Sequence, residues 1–120
     1  MFTIARSWKM REIKFRAWDS VDKKMHTNRI TGDKGIISVF GRPHSVLMQS
    51  TGLKDSNNIE IYEGDVLKGT ATLGVVKYNE NDCAFQIYEP DGICFLNGEN
   101  VFSLTLCVVG NIYENPKLLE

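Results

Sequence analysis

The sequence predicts an all-β protein with little helix, and three observations predict it. Glu12–Asp19 alternates apolar and polar residues strictly, the period of a half-buried strand. Further along, short β-prone runs recur with turn signals between them, about every 8–12 residues. No stretch sustains the 3.6-residue apolar period of an amphipathic helix.

Within Glu12–Asp19, the alternation puts Ile13, Phe15 and Ala17 on one face. Glu12, Lys14, Arg16 and Trp18 fall on the other. Asp19–Lys24 is polar and turn-like, and Met25 begins a return strand, so the first unit is a β-hairpin or ribbon. Residues 27–45 are punctuated by Gly32, Gly35, Gly41 and Pro43, with a short strand candidate at Ile36–Phe40. Val46–Ser50 is another short strand. Asp55-Ser56-Asn57-Asn58 is turn chemistry, since Asp and Asn bond their own main chain and tolerate left-handed backbone. Strands follow at Ile59–Tyr62, Val66–Lys68, Val75–Tyr78, Ala84–Tyr88 and Ile93–Leu96. Gly64-Asp65, Asn79–Asp82, Pro90-Asp91-Gly92 and Asn97–Asn100 supply the turns between them. Phe102–Val109 is the longest apolar run, strand-like over Leu104–Val109. Pro116 closes the folded part, with one loose helical turn after it. This order of bent strands and tight turns suits a small SH3-like barrel in the C-terminal part.

A chain of 120 residues has room for one domain with one core. No apolar run approaches the roughly 20 residues that span a bilayer, and Met1–Met10 lacks the apolar centre of a signal peptide. The expected location is the cytoplasm, with no membrane partner. Cys83, Cys94 and Cys107 form no C-x-x-C pair, which argues against zinc and for reduced, buried thiols acting as small hydrophobes. His26 and His44 stand in unrelated contexts, and no metal or other cofactor is expected.

The net charge of −1 conceals a division. Residues 1–50 carry ten basic and four acidic groups, whereas residues 51–120 carry four basic and eleven acidic ones. Halves of opposite sign imply pairing within the chain, pairing between chains, or a polyanion facing the basic half. Glu63 with Asp65, Asp19 with Asp22, and Glu89 with Asp91 are close carboxylates, but catalysis needs one member buried so that the two pKa values separate. All of them fall at expected turns, so solvated turn chemistry is the better account. No nucleophile, zinc-protease or phosphate-loop motif occurs. The candidate contacts are therefore the basic, aromatic ribbon residues Arg11, Lys14, Arg16, Trp18, Lys23 and Lys24. Such a face can hold single-stranded nucleic acid by phosphate contact and base stacking, or dock on an acidic surface.

Four blocks carry a resemblance. They are Met10–Asp19 (MREIKFRAWD), Met48–Asp55 (MQSTGLKD), Ile61–Val66 (IYEGDV) and Val109–Pro116 (VGNIYENP). Together, and in this order, they resemble the YopX-like proteins of phages and prophages. Residues 27–46 and 69–104 match only loosely. The resemblance implies a small, mostly β protein encoded by a phage or integrated element, acting in a bacterial host. It brings no catalytic or ligand residues with it. The family's usual start matches Met10, so residues 1–9 read as an upstream extension or an N-terminal arm. Residues 10–120 then form a single domain, with a basic ribbon part (10–50) and an acidic small-barrel part (51–116). The expectation is a non-enzymatic accessory protein, a homo-oligomer or a binder of a host or phage protein. The alternatives are a nucleic-acid-binding module and a small hydrolase or nuclease.

Overall fold

The computed structural model describes residues 12–27 and 44–120. The strand proposed at Ile36–Phe40, Arg11 and the 1–9 arm lie outside the described residues.

Two antiparallel sheets organise the chain. The first has the order β2-β1-β3-β4, from β1 (Phe15–Asp19), β2 (Lys24–His26), β3 (Ser45–Lys54) and β4 (Glu60–Tyr62). The second has the order β8-β7-β6-β5-β9. Its strands are β5 (Asp65–Lys68), β6 (Leu73–Asn79), β7 (Ala84–Glu89), β8 (Gly92–Phe95) and β9 (Cys107–Asn111). β5 to β8 form a meander, and β9 returns to the far side of β5. That is the strand order of an SH3-like barrel, here a curled half-barrel. The fold is mainly β, as the turn spacing predicts.

One segment departs from expectation. Asn97–Asn100 reads as a turn and Phe102–Val109 as one apolar run, but a short helix, α1 (Gly98–Ser103), takes in most of the turn and the start of the run. Asn97 caps it: the Asn100 N–H donates to Asn97 Oδ1 at 2.7 Å, satisfying one of the donors a helix start leaves open. The apolar run is divided in use. Val101 and Leu106 are buried in the core while Phe102 stands 86% exposed. The strand begins only at Cys107. After Pro116 the expected helical turn is a 3-10 turn, Pro116–Leu119.

The core lies inside the half-barrel: Ile61, Leu67, Val76, Ile87, Val101 and Leu106, with Leu53, Phe85, Cys94 and Leu96 packed against it. Ile61 comes from the first sheet, so the two sheets share this core. The thiols are less buried than expected. All three are free, but Cys83 is exposed and Cys94 and Cys107 are half-buried.

The turn at Asp55 bears out its reading. Its carboxylate accepts the N–H groups of Asn57 at 2.8 Å and Ile59 at 2.9 Å, and reaches Val108 on β9 at 2.8 Å. Asn58 follows in the left-handed region, at φ 65°.

β4 and β5 belong to different sheets, with only Glu63-Gly64 between them. The Glu63 N–H donates to Gln49 O on the first sheet. The Gly64 N–H donates to Val76 O, and Gly64 O accepts from Ile112, both on the half-barrel side. Gly64 has φ +84°, and a Cβ there would meet Met48 Sδ at 3.1 Å and Tyr113 Cε2 at 3.3 Å. Gly64→Ala therefore meets both backbone strain and a filled space. It is expected to cost about 1–3 kcal/mol, measured as a fall in the chemical-unfolding midpoint. An unchanged midpoint would show that this junction is slack.

Candidate functional site: a buried charge pair between the sheets

β1 does not present its basic face to solvent. Arg16 and Trp18 are 7% and 8% exposed, because this face packs toward the half-barrel. Arg16 lies opposite Met48 in the sheet, and Trp18 opposite Val46. Ala17, on the other face, is buried too, while Ile13 is exposed. The alternation identifies the strand correctly, but the burial takes in both faces: Ala17 on one, and Arg16 and Trp18 on the face that alternation left to solvent. The signal was ambiguous because Trp, a large apolar residue, fell in register with the charged ones.

Arg16 Nη2 meets Asp65 Oδ1 at 2.8 Å and also donates to Glu63 O at 3.0 Å. The guanidinium carbon lies 4.8 Å from the Tyr62 ring centroid, a cation–π arrangement. Asp65 Oδ2 accepts the Tyr62 N–H at 2.8 Å. Trp18 stacks on Tyr113, with ring centroids 6.2 Å apart. Asp65 is 2% exposed, so its reading as a solvated turn acid fails. Asp19 is also buried, although its carboxylate does accept the turn N–H groups of Val21 and Asp22, both at 3.0 Å.

Burial raises the Asp65 pKa, and the adjacent Arg16 charge only partly offsets it. Tyr62 is pushed up to about 12, first by burial and then by its hydrogen bond to Glu60. A tyrosine whose folded pKa exceeds its ordinary 10.0 holds its proton more tightly folded than unfolded. Its contribution to stability is present below pH 10 and is lost as pH rises towards 12. A tyrosinate absorbance titration should show a late-ionising group that disappears in Tyr62→Phe. An identical curve for the variant would contradict this assignment.

The other ribbon residues are not brought together. Lys14 pairs with Glu60 at 3.3 Å and with Glu12 at 3.6 Å. Lys23 and Lys24 are exposed on the β1–β2 hairpin and enter no ion pair with a described residue. Arg11 lies outside the described residues. An open cleft of about 370 Å³ borders Arg16, Glu60, Tyr62, Asp65 and Asn111. Arg16 Nε is buried there without a hydrogen-bond partner. No group of three or more His, Cys, Asp or Glu among the described residues is arranged to hold a metal. No helix among them is long and apolar enough to cross a membrane.

What converges here is the set of blocks that carried the resemblance. Arg16 and Trp18 come from the first, Met48 from the second, Tyr62, Glu63, Gly64 and Asp65 from the third, and Tyr113 from the fourth. The sequence signature is the seam between the sheets. Sequence reasoning missed Asp65 as Arg16's partner because the two lie 49 positions apart.

Solved structures show the same fold. Protein EF1440 from Enterococcus faecalis matches with a TM-score of 0.67 at 29% identity, covering 92% of this chain and all of that one. Protein yopX from Bacillus subtilis matches at 0.56 and 20% identity, with the same coverage. No curated protein matches this chain. A family model described as YopX protein matches residues 26–120. With most of its length matched, this chain belongs to the YopX family.

Proposed function

We propose that this protein is a non-enzymatic phage or prophage accessory protein, an interaction module that self-associates in the bacterial cytoplasm. Its basic hairpin docks on the acidic half-barrel of a second copy. One observation carries this reading. Lys14 and Arg16 are engaged inside the chain by Glu60 and Asp65, whereas Lys23 and Lys24 remain exposed on the hairpin. On the half-barrel, exposed Asp91 and Glu99 and half-buried Glu89 flank β8 and likewise pair with no described cation. Two surfaces of opposite sign on one molecule favour association between copies.

Exposed charge contacts are screened by salt. Assemblies present at low ionic strength should therefore dissociate as salt is raised, as read by light scattering. A mass that stays the same at both salts would remove the charge-driven reading.

The nucleic-acid alternative is weakened by the burial of Arg16 and Trp18, the two residues that would combine phosphate contact with stacking. A titration with single-stranded DNA and RNA at two salt concentrations separates the readings. Tight binding with a steep salt slope would favour nucleic acid.

A further inference from the structure

β8 is one of the two edge strands of the half-barrel among the described residues, β9 being the other, and its composition is unusual for an edge. Sheet edges are ordinarily blunted by Lys, Pro or a bulge, because their unpaired backbone groups are a template for another strand. Gly92-Ile93-Cys94-Phe95 carries no charge and no Pro. Cys94 packs against the core, while its neighbours Ile93 and Phe95 turn the other way and are 54% and 70% exposed. The strand pairs regularly with β7 on its inner side, Ile93 opposite Tyr88 and Cys94 opposite Ile87. The Phe95 carbonyl accepts from Asn100 Nδ2 at 2.8 Å, which closes the end of the edge. Asp91 and Glu99 stand at the two ends of this apolar step, with Glu89 beside them.

β2 is one of the two described edge strands of the other sheet, β4 being the second. Its chemistry is complementary. Lys23 and Lys24 are exposed, half-buried Met25 follows, and Val21 in the adjoining turn is 63% exposed. We propose that the association is edge to edge: the β2 edge of one copy lies alongside β8 of the next. Val21 and Met25 then cover Ile93 and Phe95, and Lys23 and Lys24 face Glu89, Asp91 and Glu99. This rests on the self-association reading above and specifies its interface. The pairing is by strand addition, in which main-chain hydrogen bonds supply affinity and side chains supply selectivity. Because donor and acceptor are different surfaces, the contact is head to tail. Repeated from copy to copy, such a contact builds closed rings or open filaments.

Two variants test this. The acceptor variant Ile93→Lys/Phe95→Lys places positive charge and removes apolar cover on the edge. The donor variant Lys23→Glu/Lys24→Glu reverses the hairpin. The expected result is that each alone is monomeric at concentrations where the unaltered chain assembles. Mixed, they form a heterodimer that grows no further, since one retains an intact donor and the other an intact acceptor. Exposure of the changed side chains predicts unchanged thermal midpoints. Should the lysine pair unfold, Ile93→Thr/Phe95→Thr carries the test, raising the apparent dissociation constant roughly tenfold or more. Assembly of the acceptor variant at unaltered affinity would overturn the edge interface and leave charge-driven association standing. Two monomeric variants that fail to combine would overturn the pairing of β2 with β8, and self-association of either variant through its intact edge would point to symmetric edge pairing instead. An unaltered chain that stays monomeric throughout would overturn both the interface and the self-association reading.

Discussion

Replacing Arg16 by Met is expected to lower the unfolding free energy by about 3–5 kcal/mol, the usual effect of stripping one partner from a buried ion pair. The reason is what remains. Asp65, 2% exposed, would keep a carboxylate in a place water does not reach, with only the Tyr62 N–H as donor. The second substitution Asp65→Asn removes that stranded charge while retaining an acceptor for Tyr62. The double variant Arg16→Met/Asp65→Asn should therefore be more stable than Arg16→Met alone. Strict additivity of the two changes would show that the groups do not act as a pair. The pH dependence has a defined sign. Burial raises the folded Asp65 pKa above its ordinary 3.8, so in the acidic range just above 3.8 the folded chain holds this proton more than the unfolded chain does. Stability contributed by this group rises as pH falls through that window. In Asp65→Asn this component is absent, which a comparison of unfolding curves across acidic pH would detect.

The second large effect is expected at Asp55. Its two carboxylate oxygens satisfy three backbone N–H groups, on Asn57, Ile59 and Val108, and the residue is buried. In Asp55→Ala these donors lose their acceptor. Each buried donor left unpaired costs roughly 1–3 kcal/mol, with partial rescue by water at the more open turn positions. A total loss of about 3–5 kcal/mol follows. Asp55→Asn, which keeps one carbonyl acceptor, should lose less than half as much. Hydrogen exchange at Val108 discriminates this from a purely local turn effect. Its amide should exchange faster in the Ala variant, because that bond ties the turn to β9. Unchanged protection at Val108 would mean that the bridge contributes little.

These two acids show how far the sequence can be read. Asp55 was legible because its partners at Asn57 and Ile59 are local: turn chemistry is written within four residues. The hydrogen bond to Val108 was not, since it joins positions 53 apart. The strands were legible for a similar reason. Period-2 alternation and turn residues mark them one at a time, and the meander of β5 to β8 pairs each strand with the next. α1 was hidden because six residues are too few to show a helical period, although Asn97 was available as a cap signal. Which face of β1 is buried could not be read from alternation alone. β1 is buried on both faces at Arg16, Ala17 and Trp18, and burial of Arg16 depends on an acid contributed by the other sheet. The charge division between the halves had pairing within the chain among its three readings, without saying which residues pair.

The Arg16–Asp65 contact also has a consequence for how β1 finds its place. A one-residue slip of β1 along β3 would exchange its faces, turning Arg16 outward and setting Phe15 or Ala17 against a buried carboxylate. A slip of two would restore the face but put Trp18 or Lys14 where the guanidinium belongs. Both misalignments strand Asp65. The pair thus works as a proofreader of register, rejecting each near-miss by an electrostatic penalty that hydrophobic packing alone would not impose.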